Sequence, residues 1–207
     1  MKNWVFLLAL LGFAQQAFGQ VCLHADVSGQ FVVRTHFRRI NEDLSIVVVA
    51  ILDKVSGQTK DSVSYRSAYR FDKVFEDCKS VLSYRPVSRD STNSHDEKVG
   101  DLIVADFNFD GLDDFALIKD SQGGSDPLYD FYLQGEMGRF QKDRFLSERM
   151  EIFPSQIDTA NQQLVTYNFA GYCLLGKHVY SYNAKTKSWR QKSRELIHVC
   201  NQKATNE

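Results

Sequence analysis

From Gln30 to the C-terminus the chain is a succession of short runs, alternating or β-rich, that no helical period can organise: Gln30–Arg39, Leu44–Leu52, Ser62–Phe71, Leu102–Ala105, Phe115–Ile118, Tyr129–Gln134, Arg139–Phe145, Gln163–Phe169, His178–Asn183 and Ser188–His198. Alternation puts every second side chain on one face, so these runs predict strands with one face toward a core. Turn-forming clusters separate them, notably Val55-Ser56-Gly57-Gln58, Gly135-Glu136-Met137-Gly138 and Asn183-Ala184-Lys185-Thr186. Runs joined this closely predict antiparallel hairpins. The expected fold is all-β, a single antiparallel β-sandwich-like domain with little helix. A turn or two over Phe145–Ile152 is the helical exception, and Phe75–Leu82 reads either way.

The first 19 residues stand apart. Lys2 precedes an apolar run from Trp4 to Ala14, and small residues Ala17 and Gly19 stand three and one before a cut ahead of Gln20. That is the layout of a secretory signal peptide. A membrane anchor is the other reading, but Gln15 and Gln16 end the run short of the ~20 apolar residues a spanning helix needs. Lipidation at Cys22 would want a small residue where Val21 stands. Residues 1–19 are therefore taken as signal peptide and 20–207 as the β domain, periplasmic or secreted, with no membrane span. Removing the signal deletes Lys2 alone among charged side chains, so 25 basic residues become 24 against 26 acidic, a net charge of −2. Arg38-Arg39 and Lys185/Lys187 are too dispersed to track phosphates, so nucleic acid is not an expected partner.

Four cysteines in an exported chain predict two disulfides, because that compartment oxidises thiols. Three connectivities are possible. Cys22–Cys78 with Cys173–Cys200 is favoured, since the first ties down a free N-terminus and the second closes the C-terminal strands on themselves. Zinc is the competing use of cysteine, but no two lie at short ligand spacing.

Between two of the predicted strands lies Asp106-Phe107-Asn108-Phe109-Asp110-Gly111-Leu112-Asp113-Asp114. Oxygen side chains fall at its first, third, fifth and ninth positions. Ca²⁺ takes about 6–8 hard oxygen ligands, so Asp106, Asn108, Asp110 and Asp114, with the backbone carbonyl of Leu112, can wrap one ion while Gly111 allows the sharp turn. Phe107 and Phe109 point the other way, into a core. Without a cation, four carboxylates in nine residues repel one another. The alternative is a solvated acidic turn. An EF-hand does not fit, because the twelfth position is Leu117 and the flanks read as strands.

Catalysis is not indicated. The chain has no G-x-S-x-G, H-E-x-x-H or paired C-x-x-C, and His24, His36, His95, His178 and His198 are scattered. A second stretch, Ser121-Gln122-Gly123-Gly124-Ser125-Asp126-Pro127-Leu128-Tyr129, offers a different capacity. Gly123 and Gly124 let backbone approach a partner, Pro127 restricts the segment, and Ser125, Asp126 and Tyr129 supply polar contacts and one large side chain. The plainer account is a hairpin turn with a core tyrosine. The polar segment Arg85–Lys98 reads as a surface excursion.

The order Val49-Ala50-Ile51-Leu52-Asp53-Lys54-Val55-Ser56-Gly57-Gln58, then Val104–Asp114, then the Gly-rich stretch, Tyr129–Leu133 and Arg139-Phe140 resembles a family of small exported bacterial proteins. These are calcium-binding periplasmic proteins similar to inhibitors of invertebrate-type lysozyme, including immunity proteins against secreted peptidoglycan-cleaving effectors. The resemblance implies a single β-sandwich-like domain and an inhibitory loop inserted into a lysozyme-like cleft. One feature departs from it. Such inhibitors often carry Ser-Gly followed by Tyr, whereas here the order is Gly124-Ser125 with Tyr129 four residues on. A related calcium loop occurs in adhesion proteins, so an exported adhesion or carbohydrate- or protein-binding module is the alternative function, and a cell-wall hydrolase the third.

Overall fold

Strand β2 (Phe31–Arg39) shows how alternation becomes structure: Phe31, Val33, Thr35 and Phe37 are buried while Arg34, His36 and Arg38 face out. Its neighbour β3 (Ser45–Asp53) is antiparallel, in a register that sets Val33 against Ile51, Thr35 against Val49 and Phe37 against Val47. Cross-strand apolar pairs of this kind fix register, because a one-residue slip would turn the whole set to water. The computed structural model describes residues 20–41, 44–67, 78–79, 81–84, 100–120 and 127–200. The expected signal peptide, the polar excursion and most of the Gly-rich stretch lie outside them.

Thirteen strands form three sheets among the described residues. The first is an antiparallel meander of β1 (Gln20–His24), β2, β3 and β4 (Thr59–Ser67). The second runs β5 (Val81–Ser83), β6 (Leu102–Ala105), β7 (Asp114–Asp120), β8 (Leu128–Gln134) and β9 (Phe140–Lys142). Its β5–β6 pair is parallel and the others antiparallel. The third is a meander of β10 (Gln156–Asp158), β11 (Gln163–Gly171), β12 (Leu174–Asn183) and β13 (Ser188–His198).

The all-β expectation is met, with the strands divided among three sheets. Most strands pair with the next in sequence, since short turns make the local partner the cheapest to reach. The Val55–Gln58 turn illustrates the chemistry. Asp53 Oδ1 accepts the Val55 and Ser56 amides at 3.1 and 2.7 Å, and Gly57 takes φ +69°. Asn183 does the same for Lys185 and Thr186 between β12 and β13. The predicted helical exception is a single π-helical turn, Leu146–Met150, whose Ser147 Oγ accepts the Phe131 amide at 2.9 Å.

All three sheets feed one core. Phe31, Val47 and Ile51 come from the first, Leu102, Phe115 and Phe131 from the second, and Leu164, Tyr180 and Trp189 from the third. Every residue of β6 is buried, so this strand runs through the middle and anchors the acidic loop that leaves its C-terminal end. Both disulfides have the expected pairing: Cys22–Cys78 and Cys173–Cys200, with Cα separations of 5.5 and 4.9 Å. Two such bonds suggest an oxidising, extracytoplasmic location.

Candidate metal centre

The loop 106–114 closes the β6–β7 hairpin, where Ala105 pairs with Asp114. Inside it the alternate side chains hydrogen-bond to the loop's own amides and to one another. The Asp110 amide lies 3.2 Å from both Asp106 Oδ1 and Asn108 Oδ1, so those two oxygens meet at one N–H. Asn108 Nδ2 donates to Asp110 Oδ2 at 2.9 Å. Asp106 Oδ2 accepts the Gly111 amide at 2.9 Å, and Asp110 Oδ1 accepts that of Leu112 at 2.8 Å. Gly111 has φ +82°, a left-handed conformation that a side chain would strain although space for one exists. Phe109 adopts φ 62° without being glycine, and its ring, packed beside Trp189 at 6.1 Å, holds it there. Phe107 is wholly buried against Phe131 and Phe153 at 5.1 and 5.8 Å.

Asp114 stitches the loop shut. It is fully buried; its Oδ2 accepts the Phe107 and Asn108 amides at 2.9 and 3.4 Å, and its Oδ1 accepts Gln134 of β8 at 2.7 Å. Burial pushes its carboxyl well above the usual range, and the charges of Asp110 and Asp106 add to the shift. The Asp106 carboxyl is also raised, first by burial and then by Asp110, against the pull of the Gly111 amide. Burial thus disfavours the ionised form at Asp106 and Asp114.

The residue types expected as donors are those a hard cation takes: three carboxylates (Asp106, Asp110, Asp114), the Asn108 amide oxygen and the Leu112 carbonyl, with no nitrogen or sulfur to favour zinc. Among the described residues, no three His, Cys, Asp or Glu side chains are by themselves gathered to hold a metal. The carboxylates of Asp106, Asp110 and Asp114 are instead engaged by backbone amides and by Asn108.

Asp113 does something its position in the acidic run did not announce. Its Oδ2 accepts Ser28 Oγ at 2.6 Å and the Gly29 amide at 3.1 Å, while Gln30 Nε2 donates to the Gly111 carbonyl at 2.9 Å. The loop is thus tied to the β1–β2 turn. Ser28 and Gln30 carry no local signal for this, since their partners lie more than 80 residues away.

The Gly-rich segment opens at the other end of β7. Gly123, Gly124, Ser125 and Asp126 lie outside the described residues. Tyr129 does not: it is fully buried, with its ring beside Phe131 and Phe153 and its hydroxyl donating to the Gly100 carbonyl at 2.9 Å. The expectation that Tyr129 offers a surface contact is therefore corrected. β8 is covered where Tyr129 and Phe131 stand, and a large aromatic satisfied by a buried carbonyl belongs to the core.

No protein-family model matches the chain, and no curated protein matches it. Among solved structures it is similar to one described as "Structure of a Xanthomonas Type IV Secretion System related protein". That match has a TM-score of 0.59 and 13% identity, and covers 92% of this chain and 87% of the other. At that identity the likeness is one of fold.

Proposed function

We propose that the protein is an exported, calcium-stabilised inhibitor or immunity protein that blocks a lysozyme-like peptidoglycan hydrolase and is not itself an enzyme. The observation that carries this reading is the arrangement around β7. The strand leaves the candidate calcium loop at Asp114 and ends at Asp120, immediately before the Gly-rich segment. Its partner β8 returns from that segment, setting Ile118 against the buried Tyr129. A segment mounted on two paired core strands, one fixed at its far end by the acidic loop, has the support an inserted inhibitory loop requires.

Bound Ca²⁺ would supply charge compensation among Asp106, Asp110 and Asp114 and so hold the β6–β7 hairpin closed. The working surface is then Gly123, Gly124, Ser125 and Asp126. The two glycines permit close backbone approach, and the polar pair would meet the glycan-binding groups of the cleft. The segment would occupy the substrate cleft of the hydrolase and exclude glycan without being cut. The sequence resemblance supports this assignment. The chain shares its fold with a protein described as related to a type IV secretion system.

The test is turnover of peptidoglycan by a panel of muramidases with and without the purified protein. Inhibition of at least one, weakened about tenfold or more by Ser125→Arg, supports the reading. If none is inhibited and the protein binds glycan or a surface receptor directly, the adhesion module replaces it.

A further inference from the structure

The third sheet carries a feature that this function does not use. At the end where β11 turns into β12, large apolar side chains stand in solvent: Tyr172 is 98% exposed, Phe169 79% and Leu196 58%. Phe169 faces Leu175 across the ladder, and Leu175 faces Ile197, so an apolar row crosses all three strand ends. The Cys173–Cys200 disulfide and the bond from the Val199 amide to the Cys173 carbonyl at 2.9 Å hold those ends together. An apolar row with Tyr172 at its turn, locked in this way and with Leu196 exposed on the other face, marks a contact surface rather than scattered exposure.

Charge decides what it contacts. Residues 163–198 contain six Lys and Arg and one acidic residue, Glu195, a net of +5 in a chain whose net charge is −1, so the remainder carries −6. A second copy is a poor occupant. β13 is the sheet edge, and pairing two such edges would bring Arg190, Lys192 and Arg194 of both copies together. The cations nearest the tip, Lys177 and Arg194, lie three and four residues behind Leu174 and His198, which at ~3.3 Å per residue is roughly 10–13 Å. The order is an apolar aromatic end followed by a cationic band, which is the layering of a lipid headgroup region above its acyl chains. An acidic protein surface would match the band and leave the tip unmatched.

We propose that the β11–β13 ribbon docks peripherally on an anionic lipid bilayer, with Phe169 and Tyr172 entering the interface and Lys177, Lys192 and Arg194 at the headgroups. The proposal uses none of the residues of the Gly-rich segment, so the two readings stand or fall independently.

The experiment is flotation of the chain from Gln20 onward with vesicles of phosphatidylglycerol and phosphatidylethanolamine, and with phosphatidylcholine vesicles as the neutral comparison. The expected result is co-flotation with the anionic vesicles alone, weakened about tenfold or more by Phe169→Ser/Tyr172→Ser and by Lys192→Glu/Arg194→Glu. Tyr172→Ser alone, at a fully exposed position, guards against a folding defect in the double variant and should also weaken binding. Absence of flotation overturns the proposal, as does equal flotation with neutral vesicles or binding indifferent to these variants. Full displacement by soluble poly-L-glutamate would show that the ribbon reads charge alone, as an acidic protein would present it. Self-association abolished by Tyr172→Ser would hand the tip to a second copy.

Discussion

Replacing Asp114 by alanine separates what the acidic loop owes to its own hydrogen bonds from what it owes to a metal. The carboxylate accepts two short bonds from backbone amides, Gln134 at 2.7 Å and Phe107 at 2.9 Å, and a longer one from Asn108 at 3.4 Å. Each buried amide left without an acceptor costs about 1–3 kcal/mol, so the two short bonds alone put ~2–6 kcal/mol at stake. Part of that is returned, because burial already disfavours the ionised carboxylate. A net loss of about 2–4 kcal/mol is expected in chelator, where no cation contributes. With m near ~2 kcal/mol/M for a domain of this size, the urea midpoint should fall by roughly 1–2 M. Asp110 is the control. Its side chain is exposed and, among the described residues, accepts from Leu112 and Asn108 within the loop, so Asp110→Ala should cost less than ~1 kcal/mol in chelator. If Asp114→Ala loses less than ~1 kcal/mol, or if Asp110→Ala costs as much, then Asp114 does not hold the hairpin together and the reasoning fails.

Three further outcomes are expected. Tyr129→Phe removes the hydroxyl that satisfies the Gly100 carbonyl and should cost about 1–2 kcal/mol in denaturation while leaving any muramidase inhibition unchanged, since the ring is internal. Thiol labelling of the oxidised, unfolded protein should find no reactive cysteine. In a chain-entropy picture the 56-residue Cys22–Cys78 link contributes about 4 kcal/mol and the 27-residue Cys173–Cys200 link about 3.5, so Cys22→Ser/Cys78→Ser should lower the urea midpoint further than the other pair. The Asp143 carboxyl is raised by burial, against the pull of the Leu146 and Phe145 amides. Its native form therefore keeps a proton that the unfolded chain has already released, and stability falls as pH rises from the ordinary carboxylate range through the raised value. Asp143→Asn removes that decline, so its stability relative to the parent should increase with pH from about 4 upward.

Legibility differed by kind of feature. Where one face of a strand is buried, period two shows in the sequence, which is why β2 could be bounded closely, whereas β6 is legible as a short continuous apolar run buried on both faces. Hairpin turns were equally plain, because Asp53, Gly57 and Asn183 act on backbone two to four residues away. The strands β5 and β10 have three residues each, too few for a period to register. The division into three sheets was not legible, since alternation says which face is buried and not which other sheet covers it. Tyr129 failed for the same reason: an aromatic beside a Gly-rich stretch looks available to a partner, and its actual partner, Gly100, is 29 residues distant. The bond from Ser28 to Asp113 spans 85 residues and has no local signal.

The central claim is that the loop 106–114 binds calcium. Apart from Trp4 in the expected signal peptide, Trp189 is the only tryptophan, and it packs beside Phe109 of the loop at 6.1 Å. Its fluorescence therefore reports directly on the site. Titrating the chelator-treated protein with Ca²⁺ should give a saturable change in Trp189 emission. The melting temperature should rise in step, corresponding to about 2.7 kcal/mol at a hundredfold excess over Kd. Mg²⁺ should substitute poorly, and Asp110→Ala should abolish both signals. No change in emission and no shift in melting on adding Ca²⁺, or an equal response from Asp110→Ala, would contradict the account.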